Sequence, residues 1–118
     1  NNIPNFNNGY NQPLPPGINL DFDSAPIQNS IIFSSLKNGD FIKTNVVFIQ
    51  AQIDSQSDIS KIQLFFNNEL MDERAGNFGK TAAYQFNLIP KKIELQNLLR
   101  IKVLDSTNNE FVKEVILF

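Results

Sequence analysis

The sequence predicts an all-β sandwich of about seven short strands behind an extended N-terminal arm, and three observations carry that expectation. Runs rich in Val, Ile, Leu and Phe alternate with polar residues at a period of two, the spacing of a strand with one buried face. Polar turns containing Asn, Asp and Gly separate these runs at regular intervals, as in sandwiches. Helical periodicity is weak throughout.

The 118 residues suit one domain with a real core. Residues 1–24 stand apart as an Asn/Pro-rich arm or linker, with Gly9, Gly17 and four of the six prolines. Such composition disfavours helix and favours extended conformations. Within the arm, Ile18, Leu20 and Phe22 alternate with Asn19, Asp21 and Asp23. That pattern suits a short strand with one face buried, and the composition equally suits a disordered linker.

Residues 25–118 carry the sandwich. Residues 30–34 read as its first strand, and Lys37-Asn38-Gly39-Asp40 as a turn, because Asn-Gly accepts positive φ. Residues 46–53 are β-branched, with Val47, Ile49, Ala51 and Ile53 on one face. Residues 54–58 form a polar turn. Residues 59–66 place Ile62, Leu64 and Phe66 opposite Lys61, Gln63 and Phe65. Asn67-Asn68 turns the chain, and Glu69-Leu70-Met71 returns as a short edge strand. A glycine-punctuated loop over 75–80 leads to residues 82–88, with Tyr84, Phe86 and Leu88 in register. Residues 91–98 admit either one helical turn or a loop. Residues 98–104 turn Leu99, Ile101 and Val103 inward, residues 105–109 turn, and residues 111–118 close the domain.

Composition excludes several functions. The net charge is -2 with no basic block, so nothing offsets the phosphates of a nucleic acid. No apolar run is long enough to insert in a bilayer. The absence of Cys and His removes thiol nucleophiles, disulfides, thiolate metal sites and imidazole bases. No signal-peptide pattern is present, so the chain is mature, excised from something larger, or cytosolic.

The remaining candidates for chemistry read as turns and solvated charge. Asp21 and Asp23 offer too few oxygens for Ca²⁺, which wants six or more. Asp54 and Asp58 flank a turn, and Asp72, Glu73 and Arg74 read as solvated loop charge. Ser57, Ser60 and Lys61 lack a nucleophile spacing, and Gly76 and Gly79 lack the Gly-Lys-Ser/Thr of a phosphate loop. The chain is therefore expected to be no enzyme and to need no cofactor and no metal.

Binding is the remaining class. An aromatic platform for sugar has only Tyr10, Phe65, Phe78 and Tyr84 to draw on, and Tyr84 falls in register with core residues. Phe65 is apolar on a nominally outer face, which asks for a partner or a covering segment. Ile18, Leu20 and Phe22 of the arm are candidates for that cover. The expected interaction residues are thus Ile18, Leu20, Phe22, Phe65, Phe78 and Tyr10.

Four stretches in order resemble bacterial immunoglobulin-like surface modules. Residues 31–33 are followed by Ser35-Leu36-Lys37-Asn38-Gly39, where the family carries Ser-Pro-x-Asn-Gly. Residues 59–68, Ile-Ser-Lys-Ile-Gln-Leu-Phe-Phe-Asn-Asn, are similar to Ile-x-x-Val-x-Phe-x-Val-Asp-Gly. Tyr84, Phe86 and Leu88 match a Tyr-x-Phe-x-Leu strand, and Asp105-Ser106-Thr107-Asn108-Asn109 matches Asp-x-x-Gly-Asn. Leu36 stands where the family has Pro, and Asn108 where it has Gly; Asn tolerates the left-handed φ.

The resemblance covers roughly residues 26–118 and implies an immunoglobulin-like or fibronectin III-like β-sandwich, with Asp105 capping hairpin N–H groups. Such modules are appended to the C-terminus of bifunctional penicillin-binding proteins and recur in adhesins, cell-wall proteins and secreted glycosidases. The resemblance therefore implies the cell envelope or exterior. The expected partners are other domains of the parent chain, neighbouring subunits or cell-wall glycan. An alternative is a subunit of a surface polymer whose arm adds a strand to its neighbour. A carbohydrate-binding module is the other.

Overall fold

Residues 28–118 are described by a computed structural model of the chain. The expectations for Tyr10, Ile18, Leu20 and Phe22 lie outside them.

Seven strands form among the described residues: β1 Ser30–Phe33, β2 Val47–Asp54, β3 Ile59–Phe66, β4 Glu69–Ala75, β5 Thr81–Leu88, β6 Asn97–Asp105 and β7 Glu110–Leu117. They make two antiparallel sheets, ordered β1-β2-β5 and β4-β3-β6-β7. The period-two pattern does what it predicts. Along β2, Val47, Ile49, Ala51 and Ile53 are buried and Phe48 and Gln52 are exposed. Ile62, Leu64 and Phe66 of β3 and Leu99, Ile101 and Val103 of β6 face them across the sandwich. A one-residue slip in either sheet would turn these sets to water, so burial fixes the register.

The turns follow their residues. Asn67 and Asn68 have φ of 51° and 69°, the double left-handed conformation of a two-residue hairpin. Asn108 has φ 66°, so Asn holds the left-handed position usually given to Gly. Its hairpin is built on Asp105, whose Oδ1 accepts from the Thr107 N–H at 2.8 Å, the Thr107 hydroxyl at 2.6 Å and the Asn109 N–H at 3.0 Å.

Two expectations need correction. The return after Asn68 does not stop at Met71: β4 runs to Ala75, with an irregularity opposite Leu64 and Phe65. Asp72, Glu73 and Arg74 therefore lie on a paired edge strand and not in a loop. Of the two alternatives for residues 91–98, the loop is the one that forms over 91–96. The buried Asn97 amide fixes that loop, accepting from the Glu94 N–H at 2.7 Å and donating to the Glu94 carbonyl at 3.0 Å.

Candidate functional site

The two long sides of the sandwich are closed differently. On one, β4 and β5 are edge strands of opposite sheets. Tyr84 is fully buried, and its hydroxyl donates to Asp72 Oδ2 at 2.7 Å. Burial pushes the phenol far above its ordinary range, and the Asp72 hydrogen bond and charge add to it against the opposing Arg74. Arg74 donates to the same Asp72 oxygen at 3.1 Å and to the Gln85 carbonyl at 2.6 Å. Its guanidinium carbon lies 4.4 Å from the centre of the Tyr84 ring, within cation–π range. One arginine thus binds carboxylate, ring and an edge carbonyl, and clasps the sheets together.

On the other side, β1 and β7 are the edge strands. The chain leaves β1 through Ser35, whose hydroxyl takes the place of backbone in the ladder. It accepts from the Gln50 N–H and donates to the Phe48 carbonyl, both at 2.9 Å. Residues 38–42 then run parallel along the end of β7. Gly39 N–H donates to Ile116 at 2.8 Å, Phe118 N–H to Asp40 at 2.9 Å and Ile42 N–H to Phe118 at 2.6 Å. The Asn38 side chain accepts from the Ile116 N–H at 2.7 Å. Before Ile116 this cover ends. There a groove of about 470 Å³ opens between β1 and β7, lined by Ile31, Phe33, Leu36, Lys37, Lys113 and Val115 among others.

A third feature is an apolar end. Phe41, Val46, Phe48 and Phe118 are all exposed. Phe41 is 72% exposed, and its ring lies 6.2 Å from that of Phe118. Phe41, Val46 and Phe48 also line a smaller hollow with Leu117.

The predicted residues within the described range fall apart from one another. Phe65 is half-buried on the outer face of the four-stranded sheet. Arg100 and Lys102 lie over its ring at 5.9 and 5.8 Å, so cations from the neighbouring strand supply part of its cover. Phe78 packs against the core, and Tyr84 is core throughout. The clasp of Asp72, Arg74 and Tyr84 escaped the sequence reading. Its one signal was Tyr84 itself, because a buried Tyr seeks a partner for its hydroxyl. Among the described residues no three His, Cys, Asp or Glu side chains gather as a metal site.

No protein-family model matches the chain, and no curated protein matches it in sequence. Solved structures similar to it include two from other proteins. The fibronectin(III)-like modules of Clostridium thermocellum CbhA align at a TM-score of 0.51 and 15% identity, covering 75% of this chain and 94% of theirs. The CARDB domain of a Pyrococcus furiosus protein, solved in complex with di-metal ions, aligns at 0.50 and 13% identity, covering 78% of this chain and 89% of its own. The chain is an immunoglobulin-like, fibronectin III-like β-sandwich.

Proposed function

We propose that the chain is a non-catalytic structural and interaction module of a bacterial cell-envelope or secreted protein, working by spacing and docking. The carrying observation is the apolar end built from Phe41, Val46, Phe48 and Phe118. Large apolar side chains grouped at one end of a small sandwich suit contact with a neighbouring domain. The likeness to the CbhA modules supports this, since there the same fold serves within a larger protein. Appendage to a penicillin-binding protein is the closest specific form, and it rests on the resemblance of residues 26–118.

The test is the full-length product in its cell. The reading expects the sandwich to be cleaved by protease added to intact cells, and to be joined to an envelope or secreted domain. A product confined to the cytosol would overturn the placement. Retention on peptidoglycan, lost on Tyr10→Ala, would favour the carbohydrate-binding reading instead.

A second reading, a surface polymer in which one arm adds a strand to a neighbour, draws on the uncovered stretch of β7. It expects oligomers that grow with concentration and vanish when residues 1–24 are deleted.

A further inference from the structure

Backbone groups alternate sides along a strand. Ile116 and Phe118 turn their N–H and C=O groups to residues 38–42. Glu114 and Val112 therefore turn theirs to the same edge, beyond the end of that cover. On β1, Ser34 donates to Gln50 of β2 at 2.9 Å, so Ile31 and Phe33 turn their backbone groups away from β2. Two open edges thus border one groove, whose apolar lining is Ile31, Phe33, Leu36 and Val115. Lys113 lies on the inward face of β7 with Val115 and Leu117, and it has no ion-pair partner among the described residues.

We propose that residues 18–23 of the chain's own arm occupy this groove as an added strand, antiparallel to β7 at Val112 and Glu114. The segment has the required pattern: Ile18, Leu20 and Phe22 fall on one face, to meet the apolar lining, and Asn19, Asp21 and Asp23 on the other. Asp21 and Asp23, the only charged side chains in residues 1–27, would then share the solvent face with Val112 and with Glu114, whose carboxylate is held by Arg100 at 2.8 Å. An inward lysine on an edge strand discourages indiscriminate pairing. β7 already accepts one added segment, residues 38–42, along the same edge.

Length decides for the same chain over a second copy. Residues 24–29 separate the segment from Ser30 at the start of β1. Six residues reach about 20 Å, against about 10 Å between packed sheets. Because β1 leads into residues 38–42, which run parallel to β7, the arm must reverse, and Pro26 lies in the connecting stretch. A tether this short gives an effective concentration on the order of millimolar, which a second copy matches only at comparable protein concentration.

The test uses the full chain, which has no Cys to interfere. A nitroxide label at Asn19→Cys is expected to broaden the amide NMR signals of residues 31–33 and 113–115. The broadening is lost when Leu20→Asp and Phe22→Asp are added. Labelled chain of natural isotope abundance is then mixed with unlabelled ¹⁵N chain. Broadening that appears equally in this mixed sample means a second copy supplies the strand, which overturns the proposal. Broadening centred on Arg100 and Lys102 beside Phe65, or indifferent to the Leu20 and Phe22 changes, overturns it too.

Discussion

The Tyr84 hydroxyl reaches across the seam between the two sheets and donates to Asp72 Oδ2 at 2.7 Å. The tyrosine belongs to β5 and the carboxylate to β4, edge strands that share no backbone pairing. A side-chain contact with Arg74 stacked on it thus does there what residues 38–42 do with backbone on the opposite side. Tyr84→Phe keeps the ring and removes the bond. The expected loss is about 1–2 kcal/mol in urea unfolding with an unchanged slope. Asp72→Ala is expected to cost at least as much, since it strands a buried hydroxyl. Unchanged stability in both variants would mean that the clasp contributes nothing.

Asn67 and Asn68 share a conformation but not a role. The Asn67 side chain accepts from the Leu98 N–H at 2.8 Å and donates to Asn97 Oδ1 at 3.1 Å, whereas Asn68 is exposed. Asn68→Gly relieves a left-handed non-glycine residue and is expected to be neutral or stabilising by a few tenths of a kcal/mol, or about 1 at most. Asn67→Gly is expected to destabilise by about 1–2 kcal/mol through the lost side-chain bonds. Equal effects at the two positions would contradict this division, and thermal melts of the pair would show it.

Asp105 gives the fold an acid-sensitive turn. The Thr107 hydroxyl holds its carboxyl below the ordinary carboxylate value, and the Asn109 and Thr107 N–H groups add to this while burial opposes it. A depressed folded value means that the ionised turn stabilises the fold above the ordinary Asp range. That contribution fades as pH falls through the folded value. Asp105→Asn is expected to be less stable than the parent at neutral pH, with the difference shrinking below about pH 4. Urea midpoints measured against pH for both proteins check the sign. A difference that widens on acidification would refute it.

Asn38 joins the crossing segment to β7 through the Ile116 N–H. Asn38→Ala is expected to cost about 1 kcal/mol. It should also speed hydrogen exchange at Gly39, Ile42 and Phe118, whose amides bridge the same two segments. Slower or unchanged exchange at all three would detach Asn38 from that role.

The strands were legible because each buries one face, so Val47 to Ile53 and Leu99 to Val103 declare themselves by alternation alone. Asn67, Asn68 and Asn108 declared the turns through their tolerance of positive φ. The clasp was not legible, because Asp72 and Arg74 sit near glycines and their partner Tyr84 lies in another sheet. Residue spacing carries no information about which edges of two sheets will meet. The side chains that stand in for backbone, Ser35, Asn38 and Asn97, were hidden for the same reason: each bond spans sheets or crosses a loop. Phe65 was visible as an anomaly, but its neighbours Arg100 and Lys102 depended on the pairing of β3 with β6.

One long side of the sandwich is closed by side chains, and the other leaves an edge of β7 open to the proposed strand. Amide hydrogen exchange in the full chain compares the two directly. Along β5, Ala83, Gln85 and Asn87 turn their N–H groups to the outer edge, where among the described residues only the Gln85 carbonyl is bonded, by Arg74. Their amides should exchange quickly, while those of Val112 and Glu114 on β7 should exchange at least tenfold more slowly. Equally fast exchange at both edges would mean that no strand covers β7.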